Sequence, residues 1–380
     1  MLAGTRKMQL TQRASVHLDM ARGLAAFAVL ISHVRGLFFV PYHELLHHSV
    51  FISAFYASTS FGHQAVIVFF VLSGFFITSI IIRSSDEGTW SWRVYLVNRI
   101  MRLSLVLIPA LFLCLFLDRI GMALSYTAPF YEHPGGNLIS SSVSALETVR
   151  NFVGSFFYVQ GILAQPFGSD SPLWSLSYEF WYYILFPIAV CALSRKLRPS
   201  LRATYATGAI FIMIFIGRTI ALYFLIWLIG GAIALMLLRG RASLRAGWAN
   251  MAAIVPFAFF LGFSVAKPLD SAFLMDGMVA VGFAMWMYVL IEMPDRPVGN
   301  FYAKLARLSA GFSYTLYLTH FPFVFFIRAN THHHIWQPDL LHISYAALIA
   351  GAAMLLAYGV AQVTEAKTSF FRDKVLGLLR

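Results

Sequence analysis

Charge is scarce in this 380-residue chain: 12% of its residues are Asp, Glu, Lys or Arg, where a soluble domain carries about 25%. Cysteine is rarer still. The two present, Cys114 and Cys191, both fall in apolar runs, so neither forms a conventional exposed disulfide and neither reports a redox compartment. The chain also lacks a phosphate-cradling glycine loop, a nucleophile elbow and a metalloprotease helix, and no serine has the setting of a nucleophile. No polar stretch of domain size is present and no internal repeat is visible, so any chemistry takes place in the apolar body itself.

That body is 59% hydrophobic, with a mean hydropathy of +0.73. Apolar runs of 17–22 residues recur, each long enough to cross a bilayer. They predict an all-α, polytopic membrane bundle of about ten transmembrane helices, near residues 18–39, 62–82, 100–118, 174–194, 203–216, 219–238, 247–265, 272–291, 310–329 and 342–364. The fifth is short, and the Gly217–Arg218 break after it reads either as a turn between two spans or as a kink in one. The first run carries Arg22 and exceeds the length of a signal-peptide apolar region, so it is expected to remain as a span. The chain reads as one transmembrane domain, 1–380 with a core of 15–365, a long extracytoplasmic loop at 119–173 and a cytoplasmic tail at 366–380.

Basic residues exceed acidic ones by 28 to 16, a net charge of +12. With ten spans, 21 of the Lys and Arg residues fall on the side of the termini and 5 on the other, with Arg22 and Arg35 inside the first span. This is a positive-inside pattern. It places both termini in the cytoplasm, favours an even number of spans, and accounts for the basic surplus without nucleic acid.

The 119–173 loop holds a turn-rich stretch, "YTAPFYEHPGGN", and an apolar, glycine-broken one, "VRNFVGSFFYVQGILA" (149–164). The second reads as an interfacial or re-entrant segment, and the loop as a lid, an acceptor platform or a plain connector.

Ionisable residues inside spans are costly and mark function or structural pairing. Arg22 and His33 are eleven residues apart, which on a helix places them on one stripe about 16 Å apart. Arginine suits phosphate; neutral histidine suits general-base work near pH 7. Alternatively Arg22 snorkels to the interface and His33 bonds a neighbouring helix. Asp19, three residues before Arg22, can pair with it. Arg99 and Arg102 share a face at the cytoplasmic mouth of the third span, suited to lipid headgroups or to a nucleotide diphosphate. Glu179, about a turn into "SPLWSLSYEFWYYILFP", can orient His33 or pair with Arg35. Trp174 belongs to an aromatic belt, Ser73-Gly74 to a close helix contact, and His320 sits mid-span before Pro322. His63 reads as solvated. The triplet in "THHHIW" (331–336) lacks zinc-ligand spacing, and no metal is expected.

Together "LDMARGLAAFAVLISHV" (18–34), "FGHQAVIVFFVLSGFFIT" (61–78), "NRIMRL" (98–103), "PLWSLSYEFWYYILFP" (172–187) and "SYTLYLTHFP" (313–322) resemble acyltransferase family 3, integral membrane O-acyltransferases. The arginine-to-histidine spacing matches at Arg22 and His33, the basic pair at Arg99 and Arg102, and the tryptophan-to-glutamate stretch at Trp174 and Glu179. One departure is Ser104-Leu105, where the family usually has a proline. The resemblance implies a ten-span enzyme of the bacterial cytoplasmic membrane. It would take an acyl group, often acetyl, from cytoplasmic acyl-CoA and deliver it to a hydroxyl of an extracytoplasmic glycan. His33 and Glu179 would be catalytic, Arg22, Arg99 and Arg102 would hold the coenzyme, and Ser73, Trp174, His320 and Arg35 would line the site. Acylation of a small molecule such as a macrolide or a lipid-linked sugar is the alternative within the class. A transporter or exporter of an envelope metabolite is the alternative outside it.

Overall fold

The computed structural model describes residues 10–45, 47–134, 139, 141–239, 248–266, 268–331 and 335–378; the histidine triplet at 332–334 lies outside them. The described residues contain no β-strand. In hydrocarbon every backbone polar group must find a partner within its own segment, and helices achieve this. In chain order the helices are α1 Gln12–Phe38, α2 Val50–Ser58, α3 Gly62–Asp86, α4 Trp92–Ala123, α5 Ala128–Glu132, α6 Val143–Leu146, α7 Val149–Phe156 and α8 Trp174–Leu193. They continue with α9 Pro199–Arg239, α10 Trp248–Ala266, α11 Ala272–Glu292, α12 Asn300–Gly311, α13 Ser313–Ala329, α14 Leu340–Val363 and α15 Thr368–Leu378. This is a multi-pass helical membrane protein.

By length and apolarity seven described helical segments can cross a membrane, and the α12–α13 pair, bent by 57°, makes an eighth. The expected ten is reached only by dividing α9 and including the 19-residue α10. The division has a structural basis. At 41 residues, α9 would be about 60 Å long if straight, twice the hydrocarbon thickness of about 30 Å. Gly217 breaks it at φ 77° and ψ 168°, a region open essentially to glycine alone. Before the break, Arg202 donates to the Ala192 carbonyl and Phe215 meets Trp181 edge to face, so this half runs antiparallel to α8. After it, the Tyr182 hydroxyl donates to the Ile220 carbonyl, and Phe186 meets Trp227. This half runs parallel to α8. The chain therefore reverses at Gly217, which is a turn rather than a kink.

The chain divides into two compact units interleaved in sequence. The first holds 1–18, 66–92 and 175–300. Here α3 crosses the second half of α9 with backbones in direct contact: a Cβ on Gly74 would stand 2.0 Å from the Trp227 carbonyl oxygen, and one on Gly230 1.9 Å from that of Val71. The expected close contact at Ser73-Gly74 is borne out. α10 packs along α11, where Gly282 admits Phe257 and Phe260.

The second unit holds 19–65, 93–174 and 301–380. The last carbonyls of a helix have no partner within it. At the end of α1, Arg328 donates to the Leu37 carbonyl and the Trp336 amide to that of Phe38. Gly23 of α1 lies against Ser309 of α12, and Gly62 against Ser32.

The segment from 124 to 173 is no plain connector. α4 continues to Ala123, and the chain then descends beside it: Arg119 pairs with Glu147 at 2.7 Å, Phe112 meets Phe152, and the Ser104 and Tyr158 hydroxyls lie 2.7 Å apart. From Arg119 to Ser104 this covers about 22 Å of helix. It then returns, with Gln160 donating to the Leu173 carbonyl. The 149–164 stretch is thus re-entrant. Its α7 turns Val149 and Val153 outward, with Phe157 just after it, and buries Asn151 and Ser155. Such a helix suits lipid outside and polar partners inside: Asn151 donates to the Leu146 carbonyl and accepts from the Gln165 amide. Tyr131, Phe130, Ile139 and Val143 close the other end over Phe321 and Phe325 of α13.

Candidate active site

The polar groups of the second unit collect at two levels of α1. The helix is unbroken from Gln12 to Phe38, so Arg22 and His33 keep the expected shared stripe and their separation of about 16 Å.

At the Arg22 level, the charges of Arg22 and Arg307 act on Asp19, and those of Arg102 and Arg22 act on Glu365. Glu365 follows α14 directly, and one of its oxygens accepts both the amide and the hydroxyl of Thr315 at the start of α13, at 3.0 and 2.8 Å. Arg99 lies a turn before Arg102, its guanidinium over the Tyr95 ring at 5.9 Å. The Tyr314 hydroxyl donates to the Leu103 carbonyl, fixing α13 to α4 beside Arg102. The strained backbone of Tyr158, at φ 59°, reaches this level through Ser104. Four guanidiniums with two carboxylates among them can bind a polyphosphate while remaining ordered without one.

At the His33 level, His33 Nδ1 and His320 Nε2 are 2.8 Å apart. The ring planes lie 15° from parallel with centroids 5.1 Å apart, so the two rings meet edge to edge through this contact, and Phe321 stands edge-on to His33 at 5.0 Å. His320 is fully buried on α13, and its Nδ1 lies 2.9 Å from the Leu316 carbonyl. His33 is half-buried. Tyr317, one turn before Phe321, donates to the Pro172 carbonyl, which fixes the start of α8. Trp174 stacks on His63 at 6.3 Å, so His63 has a ring partner beyond solvent. Arg35 turns to α2, its guanidinium 5.5 Å from the Tyr56 ring centre.

Two expected site residues belong to the first unit. Trp227 donates to the Ser73 hydroxyl at 3.1 Å, Ser73 donates to the Tyr183 hydroxyl at 3.3 Å, and Tyr183 donates to the Glu179 carboxylate. This chain of donors ends on Glu179 and holds its carboxylate to α8.

Sequence spacing singled out Arg22, His33, Arg99 and Arg102, and the structure brings Arg22 and Arg102 together around Glu365. Spacing did not show that His320 bonds His33, nor did it include Glu365, Thr315 or Arg307. A lone acid just past the last apolar run was the available signal for Glu365; the histidine contact joins residues 287 positions apart and leaves no local pattern.

A family model described as an acyltransferase domain matches residues 16–362, nearly the whole chain and both levels of α1. An O-acetyl transferase of Shigella phage Sf6 is 30% identical over 182 residues, 46% of this chain and 46% of that protein. The match thus spans about half the length of that relative. No solved structure matches.

Proposed function

The chain belongs to this acyltransferase family, and from that premise we propose that it is a membrane O-acyltransferase. It moves an acyl group, acetyl in the first instance, from acyl-CoA on the cytoplasmic side to a hydroxyl of an extracytoplasmic glycan. It sits in the bacterial cytoplasmic membrane with both termini inside, an orientation that the 21-to-5 division of Lys and Arg supports. The name of the phage relative, an O-acetyl transferase, favours acetyl and an oxygen acceptor.

The observation that carries the reading is the pairing of levels on one helix. Arg22, with Arg102 and Arg99 from α4, offers guanidiniums to the coenzyme's phosphates. His33 lies about 16 Å farther along the same stripe, a distance comparable with an extended pantetheine arm. His33 removes the proton as the acceptor oxygen attacks the thioester carbonyl. The new C–O bond forms, the C–S bond breaks, and the sulfur leaves as thiolate and takes back the proton. Trp174 and Arg35 are proposed to line the passage.

The test is acyl transfer by purified protein. His33→Ala is expected to lower kcat by at least about 100-fold, as general-base loss does, with folding intact by size exclusion and thermal unfolding. A fully active His33→Ala protein would overturn the base assignment.

A further inference from the structure

We infer that His320 is a positioning residue that selects the tautomer of His33 and so places the basic lone pair on Nε2. The inference rests on the proposed role of His33 as base and adds which nitrogen acts and what holds it.

A carbonyl oxygen only accepts hydrogen bonds. His320 Nδ1 lies 2.9 Å from the Leu316 carbonyl, so it carries the hydrogen; a lone pair there would face the oxygen's own. A neutral imidazole has one N–H, and His320 Nε2 is then an acceptor. It lies 2.8 Å from His33 Nδ1, which must therefore be the donor. With its single hydrogen on Nδ1, neutral His33 has its lone pair on Nε2, and no described residue hydrogen-bonds that atom. The opposite choice, Nε2–H on His320, would put the hydrogen of His33 on Nε2 and leave it unable to accept a proton there.

The burial of the two rings agrees with this division. His320 is 1% exposed, enclosed by its own helix and by Tyr317 and Phe321 at ring-centre distances of 6.1 and 6.2 Å. His33 is half-buried, its ring nearly coplanar with that of His320 and joined to it edge to edge. The inner ring is fixed by a helix carbonyl, and the outer ring is fixed by the inner one.

In the reaction, the acceptor hydroxyl gives its proton to His33 Nε2. The resulting imidazolium keeps its Nδ1–H on His320 Nε2, whose lone pair stabilises the charge. Collapse of the tetrahedral intermediate breaks the C–S bond, and the thiolate recovers the proton from Nε2, restoring neutral His33. His320 thus does for His33 what a carboxylate does in a serine-hydrolase triad, with a neutral acceptor in place of an anionic one.

The test compares His320→Gln, His320→Leu and His33→Ala as purified full-length proteins, measuring kcat and the KM for acetyl-CoA. Glutamine can offer its amide oxygen near the position of imidazole Nε2; leucine offers no acceptor. The expected result is a kcat about 100-fold lower in His320→Leu with KM unchanged, and His320→Gln within about tenfold of wild type. If His320→Leu fails to fold, His320→Asn replaces it, its amide being too short to reach His33, with the same expected loss. Equal kcat in the variants with and without a reaching acceptor would overturn the inference. His33→Ala separates the two levels of the argument: an active His33→Ala overturns the base assignment, whereas an inactive His33→Ala beside an unimpaired His320→Leu overturns the role of His320 alone.

Discussion

A buried polar group without a partner costs roughly 1–3 kcal/mol, so its surroundings report what it does. Asp170 is fully buried, and among the described residues neither carboxylate oxygen has a hydrogen-bond partner. Burial, and after it the neighbouring Asp118 carboxylate, pushes the Asp170 carboxyl well above the usual carboxylate range. The folded protein therefore holds a proton that the unfolded chain releases near pH 4. Stability contributed in this way is present at low pH and is lost as pH rises from about 4 through the raised value. Asp170→Asn is expected to flatten that decline, so that its unfolding temperature in detergent falls less than that of wild type between pH 5 and pH 8. Equal declines would contradict this. At the same scale, Arg22 and His33 were legible in the sequence because a helix converts an eleven-residue interval into a direction. The hydrogen bond from His33 to His320 was not legible, because it depends on how α1 and α13 pack, and helix periodicity carries no record of a distant partner.

Among elements, glycine separates contact from conformation. Gly74→Ala and Gly230→Ala would each drive a Cβ into a backbone carbonyl at 2.0 and 1.9 Å, and each is expected to destabilise by about 1–3 kcal/mol. Gly208→Ala, in a helix with nothing within 4 Å of its Cβ, is expected to stabilise by about 0.5–1 kcal/mol. Thermal unfolding of the three proteins orders them. Gly217→Ala meets open space yet loses the φ of 77° that reverses α9, an expected cost of about 1–3 kcal/mol. A neutral result there would favour a continuous α9. Apolar runs made most spans legible, and the Gly217–Arg218 break marked the reversal while leaving turn and kink equally open. The depth of the re-entrant segment was less legible: its register against α4 is set by Arg119–Glu147 and by Tyr158–Ser104, pairs that join distant parts of the chain. Asn151, buried on the inward face of α7, satisfies two backbone groups there. Asn151→Leu is expected to destabilise by about 1–3 kcal/mol, read as a lower unfolding temperature.

For the whole molecule, the family match over residues 16–362 and the asymmetry of basic residues are the grounds for the proposed direction, with an anionic donor at the terminal side and a hydroxyl acceptor at the other. Arg22→Ala and Arg102→Ala are expected to raise the KM for acetyl-CoA by about tenfold or more, with a smaller effect on kcat, as loss of a hydrogen bond to a charged group implies. The most direct measurement follows the acyl group itself. Purified protein, reconstituted in vesicles with acetyl-CoA labelled in the acetyl carbonyl on the terminal side and a hydroxyl-bearing glycan on the other, should consume the thioester and place the label on the glycan as an oxygen ester. Label that remained in intact thioester, whether held in place or carried across the membrane, would contradict the proposed transferase.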